Sequence, residues 1–221
     1  MGNISEKGRI MRSLARKHRG FTLIELMITL IVIAVLLTMG VPSMASYFDR
    51  QKIKAAGEQL YADLQLARSE AIARNTPIRV HVAANGSATW AYGISDVDNC
   101  DLSVTDPTDA TACTLVVDDG DLNVHGIEGA VDTDDKVLQR FTSADHQDIA
   151  LSRAGFLNGN QVTFDPSNGT AIGNSGNLLL TSPNGRQLLV KVNPLGLVRI
   201  CSPDSSVNGY ANGAPGDNSD C

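Results

Sequence analysis

The feature that most constrains this chain is an apolar block near its N-terminus, at residues 21–41. A helix of this length rises by about 1.5 Å per residue and spans roughly 30 Å, which matches the hydrocarbon core of a bilayer. The first 20 residues carry six basic side chains against one acidic side chain, so the remaining chain is more acidic than the overall net charge of −6 suggests. The positive-inside rule therefore predicts a single-pass segment with a cytoplasmic N-terminus and an exported body.

Glu25 lies inside this block and separates three interpretations. A carboxylate within a membrane segment costs about 2.5–3.5 kcal/mol on insertion scales, so it needs a partner. A signal peptide cut near Ser43-Met44-Ala45 and a plain transmembrane anchor both leave the glutamate unexplained. Cleavage after Gly20 would instead give Phe21 a free amino group that pairs with Glu25, in the same chain or in a neighbouring subunit. Such a buried pair would fix the axial register between subunits, because a shifted neighbour leaves both charges unpaired.

The residues around this junction resemble a known processing motif. Residues 19–26 read RGFTLIEL and are similar to the class III leader and first helix of type IV pilins and type II secretion pseudopilins. The resemblance implies that a prepilin peptidase removes a leader at residues 1–20 and N-methylates Phe21. It also implies that residues 21–42 form a transmembrane and filament-core helix. Pro42 ends the apolar run, and a proline there favours a kink or a break, where pilin-like helices bend or melt during assembly.

The chain after Pro42 predicts an amphipathic helix at residues 43–75. Its narrow apolar stripe recurs at spacings of three, four and seven residues: Ile53, Leu60, Leu64, Ala67 and Ala71. The other face carries charged residues: Arg50, Lys52, Lys54, Glu58, Asp63, Arg68, Glu70 and Arg74. Asn75 and Pro77 are expected to end the helix. Residues 64–75, LQLARSEAIARN, resemble the GspH/FimT/FimU group of minor subunits, which implies a helix docked on a globular sheet.

Beyond Pro77 the pattern changes to the period of two that is typical of strands. Residues 78, 80 and 82 are apolar and alternate with Arg79 and His81, so His81 is expected to face solvent. This run and residues 89–94 flank Asn85-Gly86, which predicts a hairpin. Later candidate strands are residues 114–117, 137–141, 149–152, 162–164, 178–181, 187–192 and 197–200. The expected fold class is α+β and pilin-like, with one long N-terminal helix on a mainly antiparallel sheet in a domain at residues 76–201.

An acidic insertion is predicted at residues 95–148, which contain fourteen acidic side chains and only two basic ones, Lys136 and Arg140. Four cysteines allow three pairings. The local pairing, Cys100 with Cys113 and Cys201 with Cys221, is preferred because the members of each pair are close in sequence and lie among polar loop residues. Two disulfides indicate an oxidising compartment such as the periplasm. The polar tail at residues 202–221 would then be tethered by its last residue.

No pattern in the sequence indicates catalysis or a bound metal. None of the four histidines lies in an H-E-x-x-H motif, and neither a nucleophile elbow nor a phosphate loop is present. The acidic runs at residues 96–101 and 132–135 do not match an EF-hand loop. We therefore expect a protein that is not an enzyme and needs no cofactor.

A basic region supports one rival function. Residues 151–201 contain four basic side chains against Asp165 alone, so this region could contact phosphate groups. Some FimT-type subunits are thought to bind DNA through a Gly-Arg-x-Arg motif near the C-terminus. The matching residues 196–199 read Gly-Leu-Val-Arg, so the first arginine is missing. The candidate DNA-binding residues are Arg186, Lys191 and Arg199.

These observations predict a structural minor pilin or pseudopilin that acts in pilus biogenesis or in protein secretion. It is expected first in the bacterial inner membrane, with its body in the periplasm, and then in a type IV pilus or a type II secretion pseudopilus. Its expected partners are other pilin or pseudopilin subunits, the prepilin peptidase and the inner membrane. The alternative is a DNA-binding minor pilin that takes part in DNA uptake during natural transformation.

Overall fold

The longest element of the chain is one helix, α1, which runs from Leu23 to Arg74. The computed structural model describes residues 20–116, 136–156, 159–171, 173 and 175–212, and for residues 39–43 it describes the backbone alone. The chain divides into two compact units between Met44 and Ala45, and α1 contributes to both. Of the helical residues that the structure describes, no stretch has both the length and the apolarity needed to cross a bilayer.

The second part of α1, residues 45–74, buries the apolar stripe expected from the sequence. Ile53, Leu60, Leu64, Ala67 and Ala71 are each at most 1% exposed, which confirms the amphipathic helix. However, one of the charged residues predicted on the opposite, exposed face is buried. Asp63 was expected there and is buried at 5% exposure, so that expectation is wrong.

The helix ends where the sequence predicted, and the backbone shows why. Asn75 adopts a positive φ of 51°, a conformation that asparagine tolerates better than most residues. Its N–H donates to the carbonyl of Ile72, and the N–H of Thr76 donates to the carbonyl of Ala71, each at 3.3 Å. These two bonds form a Schellman-type end that satisfies the last helical carbonyls. Pro77 follows and cannot continue the helix.

Within the described residues, ten strands follow α1. They are β1 (Ile78–Ala83), β2 (Ala91–Ser95), β3 (Thr114–Val116), β4 (Lys136–Leu138), β5 (Arg140–Thr142), β6 (Ala150–Ala154), β7 (Gln161–Phe164), β8 (Gly176–Thr181), β9 (Gln187–Val192) and β10 (Val198–Cys201). The first sheet has the strand order β5-β2-β1-β7, the second sheet has the order β10-β9-β8-β6, and β3 pairs with β4. All pairings between these strands are antiparallel.

The strand predictions hold in most places. The hairpin around Asn85-Gly86 is confirmed, since β1 and β2 pair from Arg79 with Ser95 to Ala83 with Ala91. The predicted strand at residues 137–141 is instead two short strands separated by Gln139. The N–H of Gln139 donates to the carbonyl of Cys113 at 2.8 Å, and its carbonyl accepts from Ile94 at 2.9 Å. The chain therefore changes pairing partner from β3 to β2 at this residue.

One hydrophobic core joins the second part of α1 to both four-stranded sheets. Leu60 and Leu64 of the helix belong to the same buried cluster as Phe164 of the first sheet and Leu188 of the second. The helix approaches β9 closely at Gly57, where an added Cβ would lie 2.9 Å from Cδ1 of Leu188. A side chain at this position would have to displace the side chains of Leu188 and Ile200 or move the helix away from the sheet.

The disulfide between Cys100 and Cys113 is present, with 5.0 Å between the two Cα atoms. It packs on Gly93 of β2, where an added Cβ would lie 2.7 Å from the Cβ of Cys113. The described parts of the acidic insertion, residues 95–116 and 136–148, contribute β5 to the first sheet. Residues 117–135 of this insertion lie outside the described residues.

The start of the C-terminal tail packs on α1. Val207 is 1% exposed, the hydroxyl of Tyr210 donates to Glu58, and Lys54 lies over the Tyr210 ring at 5.4 Å from its centroid. Cys201 is disulfide-bonded, while its predicted partner Cys221 lies outside the described residues. Residues 202–212 are therefore held by side-chain contacts in addition to any covalent tether.

His81 was expected to face solvent, and this expectation is wrong because the imidazole is only 7% exposed. The alternation in β1 correctly places His81 on the face of the first sheet opposite the core. However, Asn99, Cys100 and Leu102 lie beside His81 on that face, and Asn160 and Gln161 lie next to β1 in the sheet itself. Strand periodicity identifies the two faces of a sheet, but it contains no information about a loop that returns to cover one of them.

Candidate assembly interface and basic surface

The first turn of α1 contains the two residues predicted to set subunit register. Phe21 is 80% exposed and precedes the helix, and Glu25 lies in its first turn. A carboxylate at this position interacts favourably with the positive end of the helix dipole. Gly20 and Phe21, the predicted cleavage junction, are both exposed.

Thr22 caps this end of the helix, a feature that the sequence analysis missed. Its hydroxyl oxygen accepts the backbone N–H of Glu25 at 3.3 Å, and its carbonyl accepts the N–H of Leu26 at 3.2 Å. A threonine followed three residues later by a glutamate is the spacing of a capping box, in which Glu or Gln occupies the third helical position. That spacing, Thr22-x-x-Glu25, was the signal available in the sequence. Glu25 thus belongs to the helix end as well as to any contact with another subunit.

The first part of α1, residues 23–44, exposes apolar side chains around its circumference. Every large hydrophobic residue from Leu23 to Leu37 is at least 51% exposed. A helix that is apolar on all faces requires an apolar environment on all sides. A surface of this kind on a soluble body would indicate an interaction site or a membrane contact.

Pro42 does not break α1. The sequence favoured a kink or a break at this residue, yet α1 runs from Leu23 to Arg74 without interruption. A proline removes one main-chain hydrogen bond, so residue 42 is still a locally weakened position in a continuous helix. Its predicted role in assembly stays a prediction.

Two of the predicted DNA-binding residues are brought together by the second sheet. Lys191 of β9 and Arg199 of β10 lie directly opposite each other in the antiparallel register. Residues directly opposite on neighbouring strands place their side chains on the same face of the sheet. Arg199 is exposed, whereas Lys191 is half-buried.

Arg186 is placed elsewhere and has internal partners. Its Nε lies 3.2 Å from Oδ2 of Asp49 on α1, and one of its terminal nitrogens donates to the carbonyl of Ser206 at 2.7 Å. The Asp49 side chain is 6% exposed and also accepts the hydroxyl of Ser182 at 2.9 Å. This ion pair joins α1 to the β8–β9 turn and to the tail, so the arginine charge is compensated within the protein. DNA uptake, the alternative function, is not favoured.

A second buried carboxylate on α1 was also missed. Oδ2 of Asp63 accepts the hydroxyl of Tyr92 at 2.6 Å, and the amide of Gln59 donates to both carboxylate oxygens at 3.0 and 3.1 Å. Burial raises the pKa of Asp63, while the hydrogen bonds from Tyr92 and Gln59 lower it in part. Asp63 lies one helical turn from both Leu60 and Ala67, and this position beside the stripe was the available signal.

The described residues contain no group of three His, Cys, Asp or Glu side chains that could hold a metal ion.

Comparisons with known proteins give two sequence matches and several structural ones. The family described as Type II transport protein GspH matches residues 56–196, and the prokaryotic N-terminal methylation motif matches residues 15–41. A comparison with curated protein sequences finds no match. The solved structures that are similar include the type IV minor pilin FimU of Pseudomonas aeruginosa. It has a TM-score of 0.44, 16% identity, and coverage of 72% of this chain and 98% of FimU.

Another similar structure is the minor pseudopilin EpsH from the Type 2 Secretion System of Vibrio cholerae. It has a TM-score of 0.40 and 15% identity, and the match covers 68% of this chain and 97% of EpsH.

Proposed function

Because this chain belongs to the family of the Type II transport protein GspH and is a subunit of a type IV pilus or a type II secretion pseudopilus, we propose that it assembles through the first part of α1 after cleavage between Gly20 and Phe21. The cleavage would release a leader at residues 1–20 and expose the amino group of Phe21. A prepilin peptidase is the expected enzyme for this step, with N-methylation of Phe21 as its second product.

The observation that carries this proposal is the charge pattern of the exposed apolar helix. Glu25 is the only charged residue between positions 21 and 48. In a bundle of such helices the carboxylate would be desolvated and would need a cation. The amino group of Phe21 in a neighbouring subunit is a cation that the cleavage itself creates. Pairing of the two would select one axial register.

Before assembly, the same segment would anchor the subunit in the inner membrane, with its body in the periplasm. The basic residues before position 21 support this orientation, since cytoplasmic flanks are enriched in Lys and Arg. The Cys100–Cys113 disulfide supports an oxidising compartment for the body. Other pilin or pseudopilin subunits are the partners that would replace lipid around the apolar surface.

The capping box makes it possible to test the charge of Glu25 separately from its role at the helix end. Glu25→Gln keeps a residue that suits the capping box and removes the charge. Thr22→Ala removes the cap and keeps the charge. We expect Glu25→Gln to lower incorporation into filaments at least tenfold, because loss of a buried charge partner leaves the Phe21 amine unpaired. Thr22→Ala should incorporate nearly as the unmodified chain does.

The measurement is the amount of each variant in sheared filaments or in the isolated pseudopilus fraction, normalised to its amount in the membrane. Trypsin resistance of the body provides the control for folding, and it should be the same in both variants. Normal incorporation of Glu25→Gln would contradict the pairing. Loss of incorporation with Thr22→Ala and not with Glu25→Gln would show that the helix end, rather than the charge, governs incorporation.

A further inference from the structure

Exposed aromatic rings lie on both sides of the apolar block at residues 21–41. Phe21 begins the block and is 80% exposed, and Tyr47 and Phe48 follow it and are 53% and 58% exposed. The structure describes every aromatic residue of the chain, and all the others are buried or half-buried. Tyrosine is enriched at membrane interfaces, where its ring meets acyl chains and its hydroxyl meets headgroups. The position of this aromatic pair, Tyr47 and Phe48, therefore points to a contact with lipid.

The aromatic pair lies outside the core of the body. The centroids of the two rings are 5.9 Å apart and their planes make an angle of 69°, which is an edge-to-face arrangement. Neither ring belongs to the hydrophobic core that the described residues form. The next residue, Asp49, is the first residue of α1 with a buried side chain among those described. The rings are thus open to an external partner just before α1 enters the body.

The charges next to the aromatic pair are basic, although the chain as a whole is acidic. Between positions 45 and 57 the only acidic residue is Asp49. Asp49 is buried and paired with Arg186, so its charge is compensated inside the body. The same segment contains three basic residues: Arg50, Lys52 and Lys54. Positive charge beside an apolar anchor attracts anionic lipids.

Two of these basic side chains are available to lipid phosphates. Lys52 and Asp148 form an ion pair at 3.0 Å, but both side chains are exposed, and a pair of this kind contributes little to stability. Phosphate can therefore replace that carboxylate at little cost. Arg50 is half-buried, and it makes no ion pair with the residues that the structure describes. Its Nε is buried without a hydrogen-bond partner among them, so no acceptor there holds this nitrogen.

We propose that Tyr47 and Phe48 insert in the periplasmic headgroup region of the inner membrane before assembly, with Arg50 and Lys52 at the phosphates of anionic lipids. A lipid surface presents acyl chains and phosphates side by side, which matches rings and basic side chains side by side. Six residues of helix rise about 9 Å, and helical side chains tilt toward the N-terminus, so both rings would point back to the bilayer.

This inference rests on the proposed function, in which residues 21–41 anchor the subunit in the membrane. It adds a second membrane contact, made by the start of the body. Assembly would then have to release the aromatic pair from the headgroups as well as the apolar helix from the acyl chains.

The test uses the full chain in vesicles of phosphatidylcholine, alone or mixed with an equal part of phosphatidylglycerol. The vesicles contain lipids brominated either near the glycerol or near the ends of the acyl chains, because bromine quenches a nearby tryptophan. Tyr47→Trp, Leu30→Trp and Ala62→Trp each add one tryptophan, and the buried Trp90 of the unmodified chain gives the background. Ala62 is the control because it lies on the exposed side of α1, in the body.

The depth of each added tryptophan is the expected result. Quenching of Tyr47→Trp should be about twofold stronger with shallow bromines than with deep ones, as for a ring at the headgroups. Leu30→Trp should show the opposite preference, since residue 30 lies in the middle of the apolar block. Ala62→Trp should be quenched by neither lipid.

Charge variants then test the basic side chains. Phosphatidylglycerol should increase the shallow quenching of Tyr47→Trp, because it adds negative charge at the headgroups. Arg50→Gln and Lys52→Gln should each reduce that increase, and the two together should remove it. Lys136→Gln is the matched control and should leave it unchanged, because Lys136 pairs with the strand that Arg74 contacts at the far end of α1.

The membrane segment and the headgroup contact fail in different ways. Quenching of Leu30→Trp without quenching of Tyr47→Trp would overturn this inference alone, and the aromatic pair would then be a surface for a neighbouring subunit. Absence of quenching in both would overturn the membrane segment as well. Equal quenching of Tyr47→Trp and Ala62→Trp would also contradict the inference, because the aromatic pair would then be no closer to the lipid than the rest of the helix. An increase with phosphatidylglycerol that survives the double substitution would overturn the role of the basic pair.

Discussion

The two parts of helix α1 have the same backbone conformation and opposite surroundings. Large hydrophobic residues from Leu23 to Leu37 are all at least 51% exposed, whereas the stripe from Ile53 to Ala71 is at most 1% exposed. The second part is amphipathic and finds its apolar partners in the two sheets of its own chain. The first part is apolar on every side, and its partners must come from lipid or from other subunits.

The two parts of α1 therefore contribute to different free energies. The second part contributes to folding of the body, and the first part contributes to membrane insertion or assembly. Substitutions in the second part should change the stability of the body, since they alter contacts made within the chain. Substitutions in the first part should change membrane insertion or assembly and leave the body intact. Trp90 is the only tryptophan, is 5% exposed, and donates its indole N–H to the carbonyl of Ile149 at 2.7 Å. Its fluorescence therefore reports unfolding of the body alone.

The largest expected contrast comes from one leucine in each part. Leu64→Ala should lower the free energy of unfolding of the body by about 2–5 kcal/mol, because it removes a fully buried side chain and leaves a cavity. Leu30→Ala should leave that free energy within about 0.5 kcal/mol of the unmodified value. Urea unfolding followed by Trp90 fluorescence measures both. If both substitutions lowered the free energy of unfolding equally, the contrast between the two parts of α1 would be wrong.

A smaller effect is expected at the closest contact between helix and sheet. Gly57→Val should lower the free energy of unfolding by about 1–3 kcal/mol, since the new side chain meets Leu188 and Ile200. Ala55→Val places the same residue on the exposed side of the helix, two positions away, and should change the value by only a few tenths of a kcal/mol. If Gly57→Val proves neutral in the same urea experiment, α1 is not held against β9 as the structure shows.

The smallest expected effect is the pH dependence that Asp63, in the second part of α1, adds to the stability of the body. Burial raises the pKa of Asp63 above its ordinary value near 3.8, so the folded chain binds a proton there that the unfolded chain has lost. Stability contributed by this group should therefore decrease as the pH rises from 3.8 through the raised pKa. Asp63→Asn should abolish that decrease.

The difference between the unmodified chain and Asp63→Asn isolates this group. Asp101, Asp106 and Asp109 have pKa values lowered by hydrogen bonds within their turns, and their contribution is the same in both proteins. Urea unfolding at closely spaced pH values gives the two curves. A difference that is constant with pH would contradict the buried carboxylate.

Periodicity predicted the elements that bury one regular face. The stripe from Ile53 to Ala71 and the β1–β2 hairpin were both visible, because spacing along the chain sets which side chains share a face. Asp63 and His81 were misplaced because their surroundings come from distant residues. Tyr92 reaches Asp63 from the first sheet, and Asn99, Cys100 and Leu102 of a distant loop lie beside His81. The spacing of residues along one segment does not show which distant residues will pack against it.

The same distinction between local spacing and distant contacts applies to the candidate sites. Thr22 and Glu25 were recoverable from a three-residue spacing, and the pairing of Cys100 with Cys113 followed from closeness in sequence. The ion pair between Asp49 and Arg186 joins residues far apart in the chain, so it could not be read from the sequence. Charge counts alone had assigned Arg186 to a phosphate-binding surface.

Mass analysis of the N-terminal peptide of the native protein tests the central claim most directly. Residues 21–37 can serve as a filament core with one internal carboxylate only if a new amino group appears beside Glu25. The account predicts a mature chain that begins at Phe21 with a methylated amine. A chain that retains residues 1–20, or that begins after Ala45, would contradict it.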